Sequence, residues 1–380
     1  MSPIELAPRR EAPRRIAVFR ALQLGDLLCA VPALRALRSG HADAEITLIG
    51  LPWAADFVRR FARLVDRFVE FPGFPGLPER EPDIGALPPF LAAAQAAGYD
   101  LALQMHGRGD LTNSLVAALG AKATAGFCPA GGPCPDPLRF LPWPETGTEI
   151  HRTLALTDFL GLPRAGDRLE FPIDDDEKTE AAATLARHRL APRRFVCVHP
   201  GARLYTRRWP PEYFTAVAQE IAQRGFRVVL TGSGEEALLT RRIARVLPAG
   251  SVVDLAGQTR LGVFAAMLAQ ARLLVSNDTG VSHVAAALGV PSIVVSCGAD
   301  PRRFAPLDHA LHEVLHHPVA CRPCSYVHCP VGHACAHKLT PDRVVARVNA
   351  RLAPPRAEAL RLPPPLRPVP HGPPPAPSRA

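Results

Sequence analysis

The chain has 380 residues, a formal net charge of +9 and a pI near 9.4, with 47% hydrophobic and 21% charged residues. That length holds two ordinary domains with full cores, and the balance is that of a globular chain rather than a fibrous or wholly disordered one. No uninterrupted apolar run of about 18 residues marks a membrane helix, and the first twenty residues lack the apolar stretch of a cleaved leader.

Arginine far outnumbers lysine, which suits an anionic partner such as a phosphate ester, an anionic membrane surface or nucleic acid. Arg-, Ala- and Pro-rich usage is also what a GC-rich genome yields, so charge alone names no partner. In chain order, residues 1–14 read as a disordered basic lead. Arg15–Arg20 is a short strand that runs through Gly25-Asp26 into an apolar helix, Leu27–Leu37. Further strands are expected at Glu45–Ile49, Arg67–Phe71 and Leu101–Met105. Helices are expected at Trp53–Arg63, Pro88–Ala97, Asp110–Leu119 and His151–Leu160. The loops Pro72–Pro82 and Cys128–Pro144 are rich in Pro and Gly, and Pro163–Glu177 reads as a linker. Its acidic run, Asp174–Glu177, complements a helix N-terminus.

The pattern then restarts. Strand Phe195–His199 precedes Pro200-Gly201-Ala202 and helix Pro211–Arg224. Strand Phe226–Thr231, helix Glu235–Val246, strand Val252–Asp254 and helix Leu261–Ala269 follow. Leu273–Val295 supplies a strand, the polar bend Ser276–Gly280, an Ala-rich helix ending at Gly289, and a second strand, Ser292–Val295. This is a βαβ unit, and its bend lies where strand carboxyl ends meet a helix N-terminus, a place that favours anions. Asp278, Thr279, Gly280 and His283 put a carboxylate, a hydroxyl, an unhindered backbone and an imidazole there. Alone they read equally well as a helix cap with a solvated histidine. Two βα-rich halves predict an α/β fold of two Rossmann-like domains facing a cleft, 15–172 and 173–352, before a Pro-rich disordered tail at 353–380.

Two further patterns compete for a reading. Gly232-Ser233-Gly234-Glu235-Glu236-Ala237 after a strand, with Asp254 ending the next one, matches a nicotinamide-dinucleotide fingerprint taken literally. Two carboxylates directly after the glycine turn oppose a pyrophosphate, which counts against an oxidoreductase. Cys321, Cys324, Cys329 and Cys335 crowd four thiols into fifteen residues. They admit a structural zinc site, free thiols in a packed loop, or disulfides.

Four stretches, in this order and spacing, resemble the ADP-heptose:lipopolysaccharide heptosyltransferases of glycosyltransferase family 9. They are Arg15–Arg38 with its Leu24-Gly25-Asp26, His199–Ala202 with Arg207-Arg208-Trp209-Pro210, Leu230–Ser233 with Glu236, and Leu273–Val295 with Gly298–Pro301. The resemblance implies a GT-B fold and an inverting transfer from an ADP-sugar, with no metal or cofactor in the chemistry. It gives Asp26 the role of catalytic base, although the same residue also reads as a first-turn carboxylate complementing a helix dipole. It implies donor contacts at Gly201, Arg207, Glu236 (with Glu235 as the neighbouring alternative), Asp278, Thr279, Gly280 and His283. Arg207 stands where the family usually has lysine, a change that keeps the charge and alters the geometry. Trp209 is expected as a packing anchor. The implied acceptor is a lipid-linked glycan, the lipopolysaccharide core, at the inner membrane face of the cytoplasm. Nucleic acid is not implied, and the acceptor contacts carry no readable code. A sugar-nucleotide-binding or scaffold protein without turnover is the alternative.

Overall fold

A computed structural model describes residues 12–353. The lead at 1–14 and the tail at 353–380 therefore lie almost wholly outside the described residues.

The first half alternates strands and helices: β1 (Arg15–Phe19), α1 (Leu24–Gly40), β2 (Glu45–Gly50), α2 (Ala54–Arg60), β3 (Arg67–Glu70), α3 (Leu87–Ala97), β4 (Leu101–Gln104), α4 (Thr112–Ala118), β5 (Ala123–Cys128) and β6 (Phe140–Pro142). Helices α5 (Glu149–Phe159) and α6 (Asp175–Arg187) follow. The second half runs β7 (Phe195–His199), α7 (Pro211–Gln223), β8 (Arg227–Leu230), α8 (Ala237–Ala244), β9 (Val252–Asp254), α9 (Leu261–Ala269), β10 (Leu273–Asn277), α10 (Gly280–Leu288) and β11 (Ser292–Val295). It ends with α11 (Pro301–Phe304), β12 (His312–Leu315), α12 (Ala334–His337) and α13 (Pro341–Leu352).

Each half holds a six-stranded sheet, ordered β3-β2-β1-β4-β5-β6 in the first and β12-β11-β10-β7-β8-β9 in the second. Every pairing is parallel, with β1 beside β4 and β7 beside β10 in register. Counted within its own half, each sheet has the doubly wound order 3-2-1-4-5-6. In such a sheet the ligand crevice opens at the carboxyl ends beside the first strand, where the winding reverses. The central strands are continuous apolar runs because helices cover both faces. Ile16, Ala17, Val18 and Phe19 of β1 are all buried, as are Leu273, Leu274 and Val275 of β10.

Several elements differ from the sequence expectation. Helix α1 begins three residues earlier than Leu27, which moves Gly25 and Asp26 into its first turn. Strand β5, built of small residues, adds an element not expected from the sequence, and the three-residue β6 extends the sheet into the expected loop Cys128–Pro144. The supposed linker ends in a capping box: Asp174 accepts from the Glu177 amide and Glu177 from the Asp174 amide, and α6 starts there. Helix α13 packs Val344, Val348 and Leu352 into the second core with Trp209 and Phe214. No helix among the described residues is long and apolar enough to cross a membrane.

Candidate active site

The two crevices face one another and merge into one cavity of about 580 Å³. From the first half its wall takes Gln23, Leu24, Gly25 and Asp26. From the second it takes His199, Arg207, Glu236, Asp278, Thr279, Gly280 and His283. Residues spread over more than 250 sequence positions therefore meet at one place.

The first turns of α1 and α10 touch. A Cβ built on Gly25 would lie 2.8 Å from Cδ2 of His283, and one built on Gly280 would lie 3.1 Å from the amide nitrogen of Gly25. Glycine at both positions is what lets the halves close to backbone contact. His283 is buried in this seam with Nδ1 3.6 Å from the Cys29 sulfur, and burial pushes its pKa down to about 4. It is a neutral packing group that also forms part of the cavity wall.

Asp26 sits in the first turn of α1. Arg20 donates to its backbone carbonyl through Nε (3.1 Å) and Nη2 (2.8 Å), which fixes the turn. Burial raises the Asp26 carboxyl above its ordinary value, and Glu149 adds to this; Arg20, Arg303 and His106 oppose it. A carboxylate raised in this way is a better proton acceptor than one in water. His106, after β4, is held by the Ala21 amide at Nδ1 (3.2 Å), stacks on Phe19 and brings Nε2 to 3.5 Å from Glu79.

Across the cavity, Asp278 follows β10 and accepts a hydrogen bond from Ser296 (3.0 Å). Burial pushes its pKa up to about 6, against the pull of Ser296, Arg207 and Arg322. Thr279 is the N-cap of α10, yet its side chain caps nothing, and its buried hydroxyl oxygen has no partner among the described residues. An unpaired buried hydroxyl at the positive end of a nine-residue helix marks a place for an anion. Arg207 closes the same side. Its Nη2 donates to the Cys324 carbonyl at 3.1 Å; burial lowers its pKa and Asp278 raises it.

Glu236 accepts the Ser233 amide (2.8 Å), and its carboxylate occupies the space a side chain on Gly201 would need: an added Cβ would lie 1.9 Å from Oε1. Gly201 thus makes room for a carboxylate and is not itself on the cavity wall. The dinucleotide pattern dissolves here, since its turn is spent capping a short 3-10 turn at Gly234–Glu236. Asp254 is engaged by Thr240 and the Ala256 amide.

Asn277 was not singled out by the sequence. Fully buried, it accepts from the Trp209 amide (2.9 Å) and donates to the Pro200 carbonyl (2.7 Å), joining three loops behind the wall. Trp209 is the packing anchor expected, with its indole donating to Leu339 and its ring against Phe214.

The cysteine loop forms no metal cage. No group of three or more His, Cys, Asp or Glu among the described residues is placed to hold an ion. Cys335 is buried in the core, Cys321 is exposed, Cys329 accepts the His333 amide, and Cys324 uses its backbone on Gly298 and Arg207. All four are free thiols. Packing has separated thiols that the sequence crowded together, and the loop instead buttresses Arg207.

Two Rossmann-like sheets with an anion-receptive cleft between them define the GT-B class of fold. Comparison with known proteins narrows it. The model of glycosyltransferase family 9 (heptosyltransferase) matches residues 93–335, and the chain belongs to that family. Lipopolysaccharide heptosyltransferase 2 of Escherichia coli K12 is 26% identical over 218 residues, covering 53% of this chain and 61% of that protein. Lipooligosaccharide heptosyltransferase 2 of Haemophilus ducreyi is 31% identical over 139 residues, covering 36% of this chain and 40% of that protein. The chain thus aligns with less than two thirds of the length of either curated relative. Among solved structures, a family 9 glycosyl transferase from Veillonella parvula superposes with a TM-score of 0.72 at 19% identity, covering 89% of this chain and 97% of that one. E. coli ADP-heptose heptosyltransferase II gives 0.66 at 22% identity, covering 89% and 98%. E. coli heptosyltransferase WaaC with ADP-2-deoxy-2-fluoro heptose gives 0.63 at 20%, covering 88% and 99%.

Proposed function

We propose that this protein transfers a heptose from an ADP-sugar to a lipopolysaccharide-type core, with inversion at the anomeric carbon. One observation carries the reading: a raised, half-buried carboxylate, Asp26, faces an anion site made of Arg207, the unpaired Thr279 hydroxyl and the α10 N-terminus across a single cavity. A glycosyl transfer needs these two functions on opposite sides of the sugar. The acceptor hydroxyl gives its proton to Asp26 as its oxygen attacks the anomeric carbon. The carbon–oxygen bond to the diphosphate breaks on the far face, and ADP leaves with the electron pair.

The departing charge meets Arg207, Thr279 and the first amides of α10, groups that take the place a metal ion fills in other transferases; the transfer is accordingly proposed to be metal-independent. Glu236 is assigned to the donor ribose, with Asp278 and Gly280 lining the diphosphate. The proposed domains are 15–172 for the acceptor and 173–352 for the donor, acting in the cytoplasm at the inner membrane face, where the lipid-linked acceptor is.

The test is a transfer assay with ADP-heptose and a core oligosaccharide lacking its heptose, read by mass. Asp26→Asn keeps the size and removes the basicity, so turnover should fall by about 10²–10⁴ while ADP still binds. Thermal shift by NAD and not by ADP or ADP-sugars would overturn the reading. Binding of ADP-heptose with no transfer to any core acceptor would leave a sugar-nucleotide-binding protein instead.

A further inference from the structure

Glu149 opens α5 and is only 2% exposed, yet three arginines converge on it. Arg20, just past β1, donates through Nη2 to Oε1 at 2.9 Å. Arg303, on α11 of the second half, donates through Nε to Oε2 at 2.9 Å. Arg152, one turn along α5, brings Nη1 to 3.9 Å from Oε2. Burial works to raise the Glu149 carboxyl, but Arg20 and Arg303 hold it down to about 2.

A buried ion cluster is not in itself a device for stability, because apolar replacements of similar volume are often as stable. Its connections say more. The two Arg20 nitrogens that hold the Asp26 carbonyl belong to the same guanidinium that grips Glu149, and Nη1 of Arg20 also donates to the Met105 carbonyl. A continuous hydrogen-bonded chain therefore runs from Arg303 through Glu149 and Arg20 to the turn carrying Asp26. Arg303 comes from the other half of the molecule, and its guanidinium lies 5.5 Å from the ring of Trp143 in the first half. Its neighbour Phe304 lines the cavity.

We propose that Glu149 is a positioning residue for the transfer, and that Arg303 is the group through which seating of the second half reaches the Asp26 turn. The proposal rests on Asp26 being the base. With the halves apart, Glu149 keeps Arg20 and Arg152 and loses Arg303, so the turn loses its tie to the donor side. With the halves together, the chain is complete and the base is braced.

The charges around Asp26 respond to the same event. Arg20 after β1, Glu149 on α5, Arg303 on α11 and His106 after β4 face it directly; Asp278 and Arg207 stand across the cavity. Arg303 favours the ionised carboxyl and Glu149 disfavours it. Seating of Arg303 thus favours an ionised base in the closed form.

The experiment compares Arg303→Gln, Arg303→Lys and Glu149→Gln in the full chain, with ADP-heptose and a heptose-free core acceptor. Arg303→Gln should lose about 10- to 100-fold in kcat, with KM for ADP-heptose changed by no more than about threefold. Arg303→Lys should recover most of that loss. The acid limb of the kcat profile, which reads the donor-loaded closed form, should move to higher pH in Arg303→Gln, where a cation is gone, and to lower pH in Glu149→Gln, where an anion is gone. A purely structural role gives no such opposed pair. Should melting curves show that Glu149→Gln does not fold, Arg303→Gln decides alone, since that side chain is 32% exposed. Wild-type kcat and an unmoved limb in Arg303→Gln overturn the proposal. Asp26→Asn, run alongside, separates the two readings. If it is inactive while Arg303→Gln is normal, only the linkage falls; if Asp26→Asn is active, the base assignment falls and the linkage with it.

Discussion

Replacing Gly280 by alanine probes whether the touching first turns of α1 and α10 set the transfer geometry. The added Cβ would stand 3.0 Å from Cβ of Leu24, 3.1 Å from the Gly25 nitrogen and 3.2 Å from Cδ2 of Leu24. The first two atoms are fixed to the α1 backbone, so no side-chain rotation relieves the contact. Real Cβ contacts this tight are uncommon, so α10 must withdraw from α1 by a few tenths of an ångström. Overpacking of this kind costs about 1–3 kcal/mol of stability. Because α10 carries Thr279 and the anion-facing amides, the same shift moves the donor away from Asp26. A full ångström of misplacement can cost about 10²-fold, so a few tenths predicts a loss of roughly three- to tenfold in kcat. Gly289→Ala, at the far end of the same helix, is the control. It has nothing within 4 Å but a left-handed φ of 65°, so it should lose about 1–2 kcal/mol of stability with no change in turnover. Steady-state transfer kinetics and thermal melts of both variants make the comparison. A Gly280→Ala protein with wild-type kcat and ADP affinity would refute the idea that the seam sets the geometry.

Arg207→Ala should weaken ADP binding by about 1.5–3 kcal/mol in calorimetry, with the ligand-free melting temperature nearly unchanged; equal titration in mutant and wild type removes Arg207 from the donor site. Asp278 should make stability pH-dependent, because its folded pKa is raised from 3.8 to about 6. A raised pKa means that its stabilising contribution is full below about pH 4 and is lost as pH rises through 6, reaching a cost of order 3 kcal/mol when ionised. Asp278→Asn should therefore melt above wild type at pH 7.5 and level with it near pH 4; a gap that does not change with pH contradicts this. Chelation by EDTA should leave both initial turnover and the melting temperature of reduced protein unchanged, since the four loop cysteines are not gathered around an ion. One tightly held zinc per chain, lost in Cys324→Ser, would reverse that conclusion.

The two Rossmann-like halves were legible because apolar strands alternate with helical segments, and the bends after β1 and β10 carry Gly and Asp. Asp26, Asp278, Thr279 and Gly280 all stand at such bends and do meet in the cavity. What stayed hidden has physical causes. Strand β5, with the sequence ATAGFC, is mostly small residues with no apolar–polar alternation and Thr124 as its one β-branched residue, and β6 ends in proline at the sheet edge. Glu149 reads as an ordinary helix-start carboxylate, because its partners Arg20 and Arg303 lie 129 and 154 positions away. Gly201 looked like a phosphate-approaching glycine, whereas its role depends on where the Glu236 carboxylate folds back. The four cysteines show the opposite failure. They are neighbours in sequence, and Cys335 is drawn into the core by α12 while Cys321 stays outside.

The docking of α13 on the second half has a mechanical consequence. Among the described residues, 12–353, the chain passes from one half to the other once, through residues 160–174, so a single backbone tether joins the halves there. Besides the α1–α10 seam, side chains at the root of the tether stiffen the joint. There Arg60 of α2 grips Glu177 of α6 through two nitrogens at 2.5 and 2.7 Å, and the Glu177 carboxylate fills the space beside Gly262 on α9. That clasp joins first half, hinge and second half at one carboxylate, on elements that do not reach the cavity. Loosening it should widen the arc of opening without touching any group that meets donor or acceptor.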